Sequence, residues 1–207
     1  MTSIREEMWK TRGILFNFAT TDLKIRYKNS VLGVLWSILE PLLMLAVLFF
    51  VFSSMFKFEV ENFPIYLLSG IITYNFFKNG TSIALSSLSN RSSLLTQIYF
   101  PRSIPAISSC FTASIMLIVE LAVLGCFMVY FQFTPSLTIL YLIPIYMLAF
   151  VLVLGIALAL SVLNVKFRDI EFIWGIILHA GFFLTPIFYR FDMLPEEIRN
   201  ILQLSPV

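Results

Sequence analysis

Residues 31–56 read VLGVLWSILEPLLMLAVLFFVFSSMF, and the only ionisable side chain among them is Glu40. As a helix this stretch is about 39 Å long, more than the roughly 30 Å of hydrocarbon in a bilayer. A helix on the surface of a soluble domain carries one apolar stripe and a polar back. This stretch is apolar nearly all round, which predicts a membrane-spanning helix. Four more stretches read the same way: 64–88, 106–130, 137–163 and 172–189, the last being the shortest. The whole chain agrees. Of its 207 residues 59% are hydrophobic and 13% charged, against roughly 45–50% and 25% in soluble globular domains. A water-soluble fold of this size leaves about a third of its chain surface exposed and could not hide that much apolar area. The expected fold class is an all-α integral membrane protein with five transmembrane helices in this chain.

The segments between spans fix the orientation. Residues 1–30 hold six basic side chains, Arg5, Lys10, Arg12, Lys24, Arg26 and Lys28. With the N-terminus inside, the inner segments 1–30, 89–103 and 164–171 carry ten basic residues against three (Lys57, Arg190, Arg199) outside, so the positive-inside rule predicts a cytoplasmic N-terminus. The first apolar run is too long for a signal peptide and has no cleavage site of small residues. Within 4–19, Ile4, Met8, Trp9, Leu15, Phe18 and Ala19 fall loosely on one helical face. That predicts an interfacial amphipathic helix lying against membrane lipids; a helix packed on a partner protein is the other reading. Three regions result: 1–30 at the inner surface, 31–189 in the membrane, and 190–207 outside. In the last, Pro195 opens a short helix with Glu196 and Glu197 in its first turn and Ile198, Ile201 and Leu202 on one face, an external re-entrant or amphipathic element. The run Leu204-Ser205-Pro206-Val207 does not read as a natural end, and a further span is expected beyond it.

Charged groups at membrane depth cost roughly 2.5–3.5 kcal/mol each on insertion scales and need partners. Glu40, Lys78 and Glu120 are in this position. Glu40 and Lys78 lie at similar depth, about 14–15 Å from the inner boundary. They form a pair if the first two spans are neighbours; otherwise Lys78 snorkels inward and Glu40 is satisfied by backbone freed at Pro41. Glu120 bonds a neighbouring helix or faces a wet cavity. His179, the single histidine, reads as an interhelical hydrogen-bond partner, with a proton relay as the alternative. Gly155/Ala159 and Ala157/Ser161 are small-xxx-small pairs. Trp36, Tyr66, Tyr74, Tyr130 and Tyr189 read as interfacial aromatics.

Several chemistries are not written in the chain. Cys110 and Cys126 lie about 24 Å apart along one helix, too far to bridge. No Cys/His cluster has zinc spacing, so no metal is expected. No basic face with interleaved aromatics points to nucleic acid. No Gly-x-x-x-x-Gly-Lys-Ser/Thr loop occurs, so ATP has no P-loop here.

Five motifs carry a resemblance: DLKIRYKNSVLGVLWSILEPL at 22–42, LLSGIITYNFF at 67–77, IYFPRSIP at 98–105, NVKFRDI at 164–170, and FFLTPIFY at 182–189 followed by Leu194-Pro195-Glu196. In this order they resemble the permease subunits of type-2 ABC exporters of bacterial surface polysaccharides: O-antigen, capsule and teichoic acid. The resemblance implies six spans, of which the last is missing here. It implies a homodimer enclosing a channel for a lipid-linked polysaccharide in the bacterial inner membrane. It further implies that the partner is a cytoplasmic ABC ATPase that binds ATP and Mg, and that this chain is not an enzyme and holds no cofactor. Lys78 departs from the family, which has a small polar residue there.

The resemblance also assigns the loops. It implies that loop 89–103 couples to the ATPase through Asn90, Arg91, Leu94, Leu95, Ile98, Tyr99, Phe100, Pro101 and Arg102; an ordinary cytoplasmic turn held by lipid phosphates is the other reading. Asn164, Phe167, Arg168 and Asp169 either pin the inner ends of spans four and five or form an inner gate for the substrate's head. Pro195, Glu196, Ile198 and Leu202 belong to an external gate. Two other readings stand beside this one: an integral-membrane lipid-linked sugar or acyl transferase, whose convergent acids and bases are not evident, and an ABC permease for another lipid-like substrate. A non-catalytic membrane scaffold is a further class.

Overall fold

The computed structural model describes residues 4–55, 62–91, 101–134, 136–185 and 187, and all regular structure among them is helical. Helix α1 is Ile4–Arg26. A 3-10 turn, Gly33–Leu35, leads into α2, Trp36–Phe50, which a π turn extends over Val51–Met55. Then come α3, Phe63–Asn90, and α4, Ile104–Tyr130. Another 3-10 turn, Leu137–Tyr141, precedes α5, Leu142–Lys166, and α6 is Ile170–Leu184.

Local chemistry explains the punctuation. Pro64 and Pro105 sit in the first turns of α3 and α4, where a missing N–H leaves no bond unmade. Between α1 and α2, Gly33 has φ +51°, open to glycine without steric cost, and its N–H donates to Ser30 Oγ at 3.1 Å. The first predicted span therefore starts as irregular chain and becomes regular helix only at Trp36.

Helix α3 is the axis of the bundle, packed against α2, α4, α5 and α6. Leu67, Leu68, Ile71, Ile72 and Phe76 are buried. The outer helices show the reverse. Ile143, Met147, Leu148 and Val151 of α5, with Phe172, Ile176 and Phe183 of α6, are exposed. Among the described residues, three of the five predicted stretches yield helices long and apolar enough to cross a membrane, over Trp36–Ser53, Ile104–Tyr130 and Ile139–Lys166. Helix α6 is apolar but short. Helix α3 has the length but carries Asn75, Lys78 and Asn79 among several hydroxyls. Its polarity has a physical reason: surrounded by helices, it meets protein groups rather than lipid tails. Thr73 Oγ1 and Tyr146 Oη are 3.1 Å apart, and Trp174 Nε1 donates to Thr81 Oγ1 at 3.1 Å.

The close approach of α5 to α3 depends on Gly80. A Cβ there would lie 2.4 Å from Val153 Cγ1, so only glycine fits. Of the small pairs in α5, Ala157 and Ser161 are buried, whereas Gly155 and Ala159 face outward with nothing within 4 Å of a Cβ on Gly155. Tyr74, expected at a membrane interface, is instead buried in mid-helix and donates its hydroxyl to the Leu178 carbonyl of α6. Cys110 and Cys126 are both free.

Alternation of helix directions gathers the basic residues at one end. The C-terminal ends of α3 and α5 and the N-terminal ends of α4 and α6 carry Arg91, Lys166, Arg102 and Arg168. Asn164 Nδ2 donates to the Leu85 carbonyl at 3.0 Å, placing the ends of α5 and α3 side by side. Helix α1 docks there: Ala19 is buried, and Thr112 Oγ1 of α4 donates to its carbonyl at 3.3 Å.

Candidate functional site

Helices α2, α3 and α6 line a cavity of about 650 Å³. Its wall is largely apolar, with Leu43, Met44, Ile71 and Phe182 among its residues, and is interrupted by Glu40, Asn75, Lys78 and His179. Three of the four ionisable groups that the sequence places at membrane depth thus open on one space.

Glu40 and Lys78 meet across α2 and α3. Lys78 Nζ donates to Glu40 Oε1 at 3.3 Å. Arg26, from the last turn of α1, brings Nη2 to 3.9 Å from Glu40 Oε2 and donates from Nη2 to Asn79 Oδ1 at 3.2 Å. Two cations therefore share one carboxylate. The side chains remain open, Lys78 at 43% and Glu40 at 45% exposure. Glu40 thus has charged partners and does not depend on backbone freed at Pro41.

Glu120 of α4 is buried, with Oε2 lacking a hydrogen-bond partner among the described residues. It does not line the cavity. It is close enough to feel the charges of Glu40, Arg26 and Lys78, so it is the enclosed member of that group. His179 has an exposed ring, and its Nδ1 lies 2.7 Å from the Gly175 carbonyl of its own helix. Among the described residues this bond lies within its own helix and not between helices, and the ring lines the cavity.

A second charged contact lies at the basic end. Arg91 donates to Asp22 Oδ1, and its guanidinium stacks 4.5 Å from the centre of the Phe18 ring. The pair is enclosed, with side chains 10% and 15% exposed. Burial raises the Asp22 carboxyl above its ordinary range, while the charge of Arg91 and its hydrogen bond pull the other way. Arg91, expected on the coupling surface, is turned inward and clasps α1 to the end of α3.

A comparison with known families decides what kind of membrane protein this is. The model of the ABC-2 type transporter family matches residues 16–207. The chain belongs to that family. Among its relatives is an O-antigen export system permease protein RfbA of Klebsiella pneumoniae, 31% identical over 195 residues, covering 94% of this chain and 75% of the relative. A Myxococcus xanthus RfbA is 28% identical over 208 residues, covering 99% of this chain and 79% of the relative. The polysialic acid transport protein KpsM of Escherichia coli is 24% identical over 194 residues, covering 90% of this chain and 73% of the relative.

Other predicted residues of this ABC-2 chain fall as follows. Asn90, Pro101 and Arg102 are exposed at the flanks of loop 89–103. Leu94, Leu95, Ile98, Tyr99 and Phe100 lie outside the described residues, as do Pro195, Glu196, Ile198 and Leu202. Of the inner group, Asn164 is buried and holds α5 to α3. Phe167, Arg168 and Asp169 are exposed, with Lys166 Nζ 5.1 Å from the Phe167 ring centre. Arg168 and Asp169 make no ion pair among the described residues. In the sequence Arg26 reads only as inner charge, and its place at the site rests on contacts with Glu40 and Asn79 of two other helices. Asp22 stays hidden in the same way, because its partner is 69 residues away.

Proposed function

We propose that this chain is the permease subunit of an ABC exporter of O-antigen- or capsule-type polysaccharide. The observation that carries the reading is the match to polysaccharide export permeases along almost its whole length. In this reading five helices, α2 to α6, cross the inner membrane. The N-terminus is cytoplasmic, with α1 at the inner surface. The concentration of basic residues at the end where α1 docks supports that orientation. Two copies enclose the path, and the cavity between α2, α3 and α6 forms part of its wall. A separate ATPase supplies the energy through ATP and Mg, since the sequence has no P-loop, and this chain then needs no cofactor. Loop 89–103 receives the ATPase stroke. The clasp between Asp22 and Arg91 supports this, because it joins α1 to a residue of that loop, just past the end of α3.

The test is deletion of the gene in its own host. Surface polysaccharide is lost and lipid-linked polymer accumulates inside, and the intact gene restores export. The tagged protein co-purifies with a P-loop ATPase and a second copy of itself. Normal surface polysaccharide in the deletion strain would refute export, and an N-terminal label reactive from outside intact cells would refute the topology.

A further inference from the structure

We infer that Arg26 and Lys78 form a binding site for the phosphate head of a lipid-like amphiphile, and that Glu40 occupies this site when no ligand is bound. The inference deepens, and rests on, the reading of the cavity as part of an export path. Arg26 and Lys78 converge on the single carboxylate of Glu40, at 3.9 and 3.3 Å. The open part of the cluster therefore carries one more positive charge than negative. Bare cations at membrane depth are costly, so an internal carboxylate holds the place of an anion.

Geometry makes that carboxylate exchangeable. The Lys78 and Glu40 side chains are nearly half exposed, and ion pairs of such exposure are weak. A phosphate offers more acceptor oxygens than one carboxylate edge. It suits a guanidinium, which binds oxyanions in a fork, beside an ammonium acting as a point charge. Asn79 Oδ1 accepts from Arg26 Nη2 at 3.2 Å, which holds the guanidinium in place while Glu40 swings away. Lys78 and Glu40 lie on the cavity wall, and Arg26 reaches Glu40 from outside its lining; the apolar part of the wall, with Leu43, Met44, Val47, Ile71 and Phe182 next to these charges, selects the tail. A soluble anion would gain nothing from that surface, whereas an amphiphile fills both halves.

The test uses the purified full-length protein in phosphatidylcholine nanodiscs, titrated calorimetrically with decyl phosphate and, as the uncharged control, decanol. Decyl phosphate binds and decanol does not exceed empty discs. Lys78→Gln and Arg26→Gln each weaken binding roughly tenfold or more, the worth of a charge-assisted hydrogen bond. Glu40→Gln removes the internal competitor and tightens it. A purely structural cluster gives a different pattern: loss of Glu40 leaves two cations unpaired, so the fold loosens and binding falls. Absent binding, or Glu40→Gln weakening it alongside Lys78→Gln, overturns the inference. Discs of equal parts phosphatidylcholine and phosphatidylglycerol separate the sources. Competition by phosphatidylglycerol assigns the site to bilayer headgroups and its absence to the transported lipid, and both support phosphate chemistry. Binding to purified protein is independent of export in cells, so the calorimetric result can fail while the export phenotype stands, and the reverse.

Discussion

Two carboxylate–cation contacts join the early part of the chain to α3, and they differ mainly in how much of each is open. Asp22 and Arg91 are enclosed against Phe18, whereas Glu40 and Lys78 sit on the wall of a cavity. A buried pair is held by what breaking it would leave behind, an unpaired charge out of water. An open pair has water or a ligand as an alternative partner, so either side can be exchanged at little cost. The same chemistry thus makes a fastening at the basic end of the bundle and an exchangeable contact in its middle.

Replacing Arg91 with Met breaks the enclosed contact and has the largest expected effect. Removing one partner of a buried ion pair costs about 3–5 kcal/mol, and Asp22 Oδ2 already lacks a hydrogen-bond partner among the described residues. Thermal unfolding in detergent should show a large fall in midpoint. Adding Asp22→Asn should recover much of it, because the stranded charge is then gone. A single mutant as stable as wild type would mean that α1 is not fastened there.

The second effect concerns packing. Gly80→Ala places a Cβ 2.4 Å from Val153 Cγ1, and overpacking of this kind costs about 1–3 kcal/mol. Val153→Ala removes the obstructing methyl groups, so the double mutant should be more stable than Gly80→Ala alone. Simple additivity of two losses would show that α5 does not approach α3 at this point.

The helical class was legible because runs such as 31–56 have no other stable form in lipid, where every backbone group must be satisfied within the segment. The neighbourhood of Glu40 and Lys78 was partly legible, since equal depth is simple arithmetic on helical rise. What stayed hidden was the direction of each side chain. Tyr74 and Trp36 look alike in sequence, yet one is buried with its hydroxyl bonded to α6 and the other is exposed. Gly155 resembled a packing glycine and Gly80 did not, although Gly80 is the one a neighbour touches. Such differences depend on which helix stands opposite, a long-range fact that no local window contains. Arg26 is the same kind of case, because its partners Glu40 and Asn79 come from two other helices.

The pH response of the enclosed pair is a smaller effect with a definite sign. Burial outweighs the pull of Arg91 and sets the Asp22 pKa in the folded state above its ordinary value of 3.8. Between the unfolded and folded values the folded state holds more proton, so stability falls as pH rises through that interval and levels off above it. Asp22→Asn should abolish this slope. A slope of opposite sign in the parent, also lost in Asp22→Asn, would show that the attraction of Arg91 outweighs burial.

Lys78→Gln in the open contact should change stability least, by less than about 1 kcal/mol, despite removing a charge at membrane depth. Glu40 still has Arg26 within 3.9 Å, and the glutamine amide can donate where the ammonium did. Comparing its unfolding midpoint with that of Arg91→Met therefore measures how far the two contacts differ. If Lys78→Gln destabilised the protein as much as Arg91→Met, the cavity pair would be a fastening too, and Glu40 would not be free to give way to a ligand. A near-silent effect on stability is the condition under which Glu40 can leave its cations, so this smallest of the changes bears most directly on what the cavity is for.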